Sequence, residues 1–125
     1  MPADSIHLAA PIPVLRIFDI AKAYEFYCGY LGFVVDWEHR FETALPLYAQ
    51  LSRSCTVIHL SEHHGDGTPG SVVWIAVGDI HGLQAELAAK DYPFARPGTP
   101  EDGPGGPGFD LTDPFGNQLR FAQPE

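Results

Sequence analysis

Residues 14–20 read Val14-Leu15-Arg16-Ile17-Phe18-Asp19-Ile20, and they decide the fold because a close copy of them recurs later in the chain. The copy covers residues 73–80 and reads Val73-Trp74-Ile75-Ala76-Val77-Gly78-Asp79-Ile80. In both copies an aliphatic run typical of a strand leads to an Asp whose carboxylate can cap a helix, and apolar residues at helical spacing follow. Two copies of one small unit predict a pseudo-symmetric chain with its working site between the halves.

Length and composition predict one domain over residues 1–125, with 45% hydrophobic residues, and a turn-rich segment at 65–70 divides it. Each half is too small to bury a sufficient core alone, so the halves must share a core with each other or with a second chain. We place module one at about 12–61 and module two at about 72–122. Strands are predicted at 12–18, 33–37, 46–51, 55–60, 72–77, 92–95, 109–112 and 118–122. With helices after each capping Asp, the class is α+β and the pattern is βαβββ, twice.

The balance of charged residues indicates which kinds of binding partner to expect. Seven Lys and Arg stand against 16 Asp and Glu, a formal net charge of −9. Nucleic acids and anionic membranes need basic patches, so neither is predicted as a partner, whereas a cationic small molecule is favoured. The sequence has no apolar run long enough to span a membrane and no recognisable signal peptide. Cys28 and Cys55 do not form a metal-type pair, and reduced thiols fit a cytoplasmic location.

Two other patterns need interpretation. The stretch His59-Leu60-Ser61-Glu62-His63 matches the HxxEH motif of a class of zinc peptidases, which functions only on a helix. Because it starts in a β-branched strand and runs into Gly65 and Pro69, we interpret the match as accidental. Residues 97–108 contain four prolines and five glycines, which predicts a long irregular loop that is either a lid or simply mobile.

The chain resembles the vicinal-oxygen-chelate superfamily, which includes glyoxalase I, extradiol dioxygenases and bleomycin-resistance proteins. The resemblance rests on the strand before Asp19, on Phe26-Tyr27, on Leu31-Gly32-Phe33 and on the turn Asp113-Pro114-Phe115-Gly116-Asn117. It covers roughly residues 12–122. It implies that the paired modules form a cupped mixed sheet around a cavity.

The resemblance also implies where a catalytic metal would bind. In the enzymes of this superfamily the ligands come from the first, fourth, fifth and last strands, and those positions hold Ile12, His59, Val72 and Arg120 here. A first-row metal needs three or four His or carboxylate donors, and this set supplies one. We therefore expect no metal and no cofactor, and we favour a binding protein over an enzyme.

If these four positions face the cavity, strand alternation predicts the rest of its lining. The predicted ligand-binding residues are largely aromatic or basic: Trp74, Trp37, Phe33, Tyr48, His59, Arg16 and Arg120. Such a pocket suits a flat organic molecule, and Trp74 can stack on a heteroaromatic ring or a cation.

The absence of metal donors makes the chain similar to the bleomycin-resistance branch, which implies a domain-swapped homodimer with acidic, aromatic-lined grooves at the subunit interface. The implied function is antibiotic resistance by sequestration, without chemistry, of a small cationic aromatic molecule. One departure concerns the ligand. Relatives that bind the drug tend to carry Pro-Trp-Gly before the seventh strand, whereas residues 103–108 read Gly103-Pro104-Gly105-Gly106-Pro107-Gly108.

Three alternatives stay open at this point. A metal-dependent glyoxalase- or dioxygenase-type lyase or oxygenase would need a rearranged site, combining His59 with Glu62 or a loop histidine. A metal-free enzyme would use His59 as general base and Arg16 or Arg120 as electrophile. A module for a different metabolite or a peptide would differ from the favoured function in ligand identity alone.

Overall fold

The computed structural model describes residues 5–125 and has the predicted α+β class, with strands in two separate sheets. Module one contains β1 Val14–Arg16, α1 Ile20–Tyr24 with a π-helical continuation Glu25–Tyr30, β2 Val34–His39, β3 Tyr48–Arg53 and β4 Thr56–Ser61. Module two contains β5 Val72–Ala76, α2 Ile80–Ala88, β6 Gly108–Thr112 and β7 Gln118–Ala122. Neither helix in this described part of the chain is long and apolar enough to cross a bilayer.

Both helices begin where the repeated motif predicts. The side chain of Asp19 accepts a hydrogen bond from the backbone N–H of Lys22, and Asp79 accepts one from that of Gly82, both at 2.9 Å. The first helix widens over its second half, where the N–H of Leu31 donates to the carbonyl of Phe26, five residues earlier. The two copies therefore start in the same way and differ downstream of the cap.

Module two is one strand shorter than predicted. The first sheet has the strand order β1-β4-β3-β2, whereas the second has β5-β7-β6. Residues 92–95, where the sequence predicts a further strand, contain a turn instead. Pro93 lies in that turn and lacks the N–H that a ladder requires, so the second copy is βαββ.

The modules share one core, and polar side chains join them. The hydroxyl of Tyr27 donates to Asp113 Oδ2 at 2.6 Å, and Asn117 Nδ2 donates to the carbonyl of Arg16 at 3.0 Å. On the surface, Arg53 makes two hydrogen bonds of 2.8 Å to the carboxylate of Glu86. The first two contacts lie among buried aromatic and aliphatic side chains of both modules. The expectation that the halves share a core is met within a single chain.

A β-bulge in β2 sets which side chains share a face. Val35 pairs with Leu51 and Trp37 pairs with Gln50, so Asp36 is an extra residue. Trp37 consequently lies on the face away from the helices. Phe33, before the bulge, points into the core, where it is 5% exposed and packs edge-on against Tyr27. The expectation that Phe33 and Trp37 line one wall is therefore wrong, because the bulge interrupts the strict alternation on which it rested.

Candidate functional site

Each sheet has one face buried in the core and an opposite face that is more exposed, called here its open face. The first open face consists of Asp36, Trp37, Tyr48, Gln50 and His59. The second open face consists of Trp74, Arg120 and Asp110, which lie side by side on neighbouring strands. Each face carries one of the two tryptophans, 43% exposed at Trp37 and 49% exposed at Trp74. Exposed aromatic side chains of this size make both faces candidates for a binding site.

Three rings make the first open face aromatic. Trp37 lies nearly parallel to Tyr48, with ring centroids 6.1 Å apart and an interplanar angle of 11°. His59 meets Trp37 edge-on at 5.3 Å and Tyr48 at 5.1 Å. The cluster presents flat apolar surface beside polar ring atoms, which suits a planar ligand that also forms hydrogen bonds.

A chain of hydrogen bonds, here called the relay, runs across the first open face. Tyr48 Oη lies 2.7 Å from His59 Nδ1, and His59 Nε2 lies 3.0 Å from Gln50 Oε1. Gln50 Nε2 donates to Asp36 Oδ2 at 3.0 Å, and Ser52 donates to the other carboxylate oxygen at 2.9 Å. Burial lowers the pKa of His59, which favours a neutral ring near pH 7. Burial and, secondarily, the charge of Asp66 raise the pKa of Tyr48.

The second open face is more exposed and more acidic. Arg120 Nε lies 3.8 Å from Asp110 Oδ2, and both side chains are more than half exposed. A cavity of about 520 Å³ lies between Trp74 and the 98–106 loop, and Glu101, Asp102 and Asp110 contribute three carboxylates to its lining against one guanidinium. This balance favours a positively charged occupant.

The proline- and glycine-rich loop contacts Trp74 directly. Gly105 has φ = +84°, and a Cβ added there would lie 2.7 Å from the indole ring. Because glycine has no side chain, its backbone can approach the indole ring of Trp74 more closely than that of any other residue. This loop supplies no aromatic ring of its own, which agrees with the missing Pro-Trp-Gly segment.

The predicted site residues do not form one cluster. The structure brings Trp37, Tyr48 and His59 together, and it separately pairs Trp74 with Arg120 in register. The register places Arg16 on the same face of the first sheet, opposite Ser61, with its guanidinium carbon 4.7 Å from the centroid of the Phe18 ring. It lines a different cavity of about 360 Å³ beside the 64–69 segment. Arg120 lies in the other sheet from His59, so a metal-free mechanism that joins these two residues has no support in this arrangement.

Sequence reasoning missed the acidic members of both faces. Asp110 alternates with buried Phe109 and Leu111, a period-two signal that identifies it as outward-facing. Asp36 had no such signal, because its position depends on the bulge. The carboxylates of the 98–106 loop could be counted from the sequence, but their proximity to Trp74 depends on the path of the loop.

The residues at the family's metal positions do not fit a metal. Ile12 and Val72 have no donor atoms, and Arg120 places a cation beside Asp110. His59 already uses both ring nitrogens in the relay. Glu62 accepts a hydrogen bond from the N–H of Leu47 at 3.0 Å, and His59 lies in β4, not on a helix, so the HxxEH match is accidental. Within residues 5–125 no three His, Cys, Asp or Glu side chains gather into a metal-binding group.

Each module begins with a strand, a capping Asp and a helix, and each contributes a sheet with one open face that carries a tryptophan. A sequence profile described as glyoxalase superfamily protein matches residues 3–125, so the chain belongs to the glyoxalase superfamily. No curated protein sequence matches the chain.

Among solved structures, one similar protein is the bleomycin-binding protein of the bleomycin producer Streptomyces verticillus, complexed with copper(II)-bleomycin. It is 26% identical, with a TM-score of 0.70 over 95% of this chain and 98% of that one. An antibiotic-binding protein from Streptomyces sp. CB03234 is 21% identical, with a TM-score of 0.71 over 95% of this chain and 100% of that one. The bleomycin-resistance likeness is thus confirmed at the level of family and fold.

An enzyme of the superfamily is similar as well. Glyoxalase I of Leishmania major, a trypanothione-dependent enzyme, is 20% identical, with a TM-score of 0.65 over 93% of this chain and 87% of that one. At this identity the likeness concerns the fold alone. The fold therefore carries both binding proteins and enzymes, and the side chains of each site must distinguish them.

Proposed function

We propose that this protein binds and sequesters a small, cationic, aromatic molecule, such as an antibiotic of the bleomycin type, without chemical turnover. The observation that carries the proposal is the pair of open sheet faces, each with a half-exposed tryptophan beside carboxylates. Stacking and cation–π attraction hold a flat cation on such a surface, and the acidic groups add long-range attraction.

The binding groove forms in a homodimer, where the first open face of one copy approaches the second open face of its partner. Neither face alone encloses a drug-sized ligand, whereas small-molecule sites typically bury most of their ligand. Joining the two would place one tryptophan on each wall of the groove, and a dimer would contain two such grooves.

The first test is a titration of the purified protein with metal-free bleomycin, followed by tryptophan fluorescence, after elemental analysis of the protein. Saturable quenching at one ligand per chain in metal-free protein is expected. Trp37→Phe and Trp74→Phe should each weaken binding, because each removes one stacking wall. An unchanged affinity in both variants would contradict the two-walled groove, and no quenching at all would remove bleomycin as the ligand.

Sedimentation tests the dimer separately. At micromolar concentration the protein should sediment at twice the chain mass of 13.7 kDa. A monomer that still binds one ligand per chain would mean that a single face forms the site.

Metal-dependent lyase or isomerase activity is the second candidate, and the fold shared with the Leishmania glyoxalase is what favours it. The donor set argues against it. Stoichiometric metal retained through purification, or turnover of a hemithioacetal after addition of Ni²⁺ or Zn²⁺, would reverse this order of preference.

A further inference from the structure

The relay has a direction, and the direction is fixed at one end by Asp36. A carboxylate can only accept hydrogen bonds. Gln50 must therefore turn its amide nitrogen toward Asp36, at 3.0 Å, and its carbonyl oxygen toward His59. Ser52 donates to the second carboxylate oxygen and holds Asp36 in place.

The orientation of Gln50 in turn determines the proton positions on His59 and Tyr48. Because Gln50 Oε1 can only accept, His59 must carry a proton on Nε2. Burial favours the neutral ring, in which Nδ1 then presents a lone pair. Tyr48 then donates its single hydroxyl proton to Nδ1 over 2.7 Å. Its phenol oxygen keeps free lone pairs, and no described protein group donates to it.

We propose that Tyr48 Oη is a dedicated hydrogen-bond acceptor for the ligand, so that the first open face selects planar cations that carry an N–H group. The assignment deepens the proposed function and rests on it. Trp37, stacked parallel to Tyr48, supplies the surface for the flat ring, and the ligand's N–H reaches the phenol oxygen at its edge. Asp36 acts through Gln50 and His59 and is a positioning residue.

The test uses two planar cations of matched size and charge, protonated aminoacridine, which has N–H groups, and N-methylacridinium, which has none. Calorimetry on the intact protein should show that aminoacridine binds roughly tenfold more tightly. Tyr48→Phe should remove that preference by weakening aminoacridine while leaving N-methylacridinium within about twofold. Equal binding of both dyes to the unaltered protein would overturn the assignment but leave the proposed function standing. Binding of neither would overturn both.

The tautomer of His59 gives a test that needs no ligand. The ¹⁵N shifts of its ring should show protonated Nε2 and unprotonated Nδ1 near neutral pH. Asp36→Asn should produce a mixture of tautomers and reduce the preference for aminoacridine, because an amide can face Gln50 in either orientation.

Asp91→Asn provides the matched control, since it removes the same charge at an exposed residue outside the relay. It should leave the ring shifts and the preference unchanged. A protonated Nδ1 in the unaltered protein, or unchanged shifts in Asp36→Asn, would overturn the assignment.

Discussion

The two open faces belong to copies of one structural unit, yet different kinds of interaction organise them. On the first, side chains order one another through the relay from Asp36 to Tyr48. On the second, an exposed ion pair of 3.8 Å and the backbone of a glycine-rich loop surround Trp74. The difference shows that a duplicated fold can provide one pre-organised face and one adaptable face. Such a division suits a groove that must fix part of a ligand and accommodate the rest.

The largest loss of stability is expected at the junction of the modules, meaning the buried contacts of Asp113. The contrast between the two faces concerns a single protein unit only if the modules unfold together. Asp113 is buried and accepts hydrogen bonds from Tyr27, Asn117 and the N–H of Phe115. Asp113→Ala leaves these donors without partners and should cost about 3–5 kcal/mol of unfolding free energy in urea denaturation. Asp110→Ala, at an exposed site of β6, should cost less than about 0.5 kcal/mol. Similar losses in both would show that the junction does not join the modules.

The same junction predicts alkaline instability. Burial, reinforced by Asp113, raises the pKa of Tyr27 well above its ordinary 10.0. The unfolded chain loses this proton first, so stability is full below pH 10 and falls as pH rises above it, by up to about 1.4 kcal/mol per pH unit for one group. Tyr27→Phe should flatten the fall in thermal denaturation between pH 10 and pH 11. An unchanged slope would mean that other tyrosines dominate.

An intermediate effect is expected at the surface contact between modules. Arg53 and Glu86 are 35% and 39% exposed, so their pairing is screened by solvent, and Glu86→Gln should cost about 1 kcal/mol. The hydrogen bond from Arg53 lowers the pKa of Glu86 below its ordinary 4.5. This contribution is therefore present above pH 4.5 and disappears as pH falls through the lowered value. A loss that persists unchanged at pH 3 would contradict the pairing as its cause.

The smallest effect is expected for glycine substitutions, and it tests whether the loop backbone organises the second open face. Gly105→Ala and Gly70→Ala both strain a residue with positive φ, +84° and +90°, but only the first adds a methyl group against Trp74. Each should lower stability by about 1 kcal/mol. Gly105→Ala alone should shift the emission of Trp74 and change ligand affinity, by roughly threefold. Identical fluorescence in the two variants would mean that the loop does not hold this indole.

The sequence predicts the fold better than the site, and particular residues show why. The caps at Asp19 and Asp79, the strand alternation and the turn at 113–117 are local signals, and the structure contains all of them. Assigning a side chain to a face of a sheet relies on strict alternation along the strand. Alternation predicts Phe33 and Trp37 on one face, but the extra residue in β2 puts Phe33 in the core and Trp37 outward. The contact of the Arg16 guanidinium with the Phe18 ring depends on side-chain packing, which no local pattern encodes.

The bulge at Asp36 has a consequence for how such proteins diversify. Removing that one residue would restore regular pairing, with Val35 still opposite Leu51 and Trp37 still opposite Gln50, so Trp37 would stay outward and the first open face would lose its carboxylate. A single-codon deletion would thus remove the carboxylate at the end of the relay without touching the core of the other strands. Comparisons among relatives should therefore track insertions and deletions in this strand as closely as substitutions, since a gap of one residue changes the polar groups on the first open face.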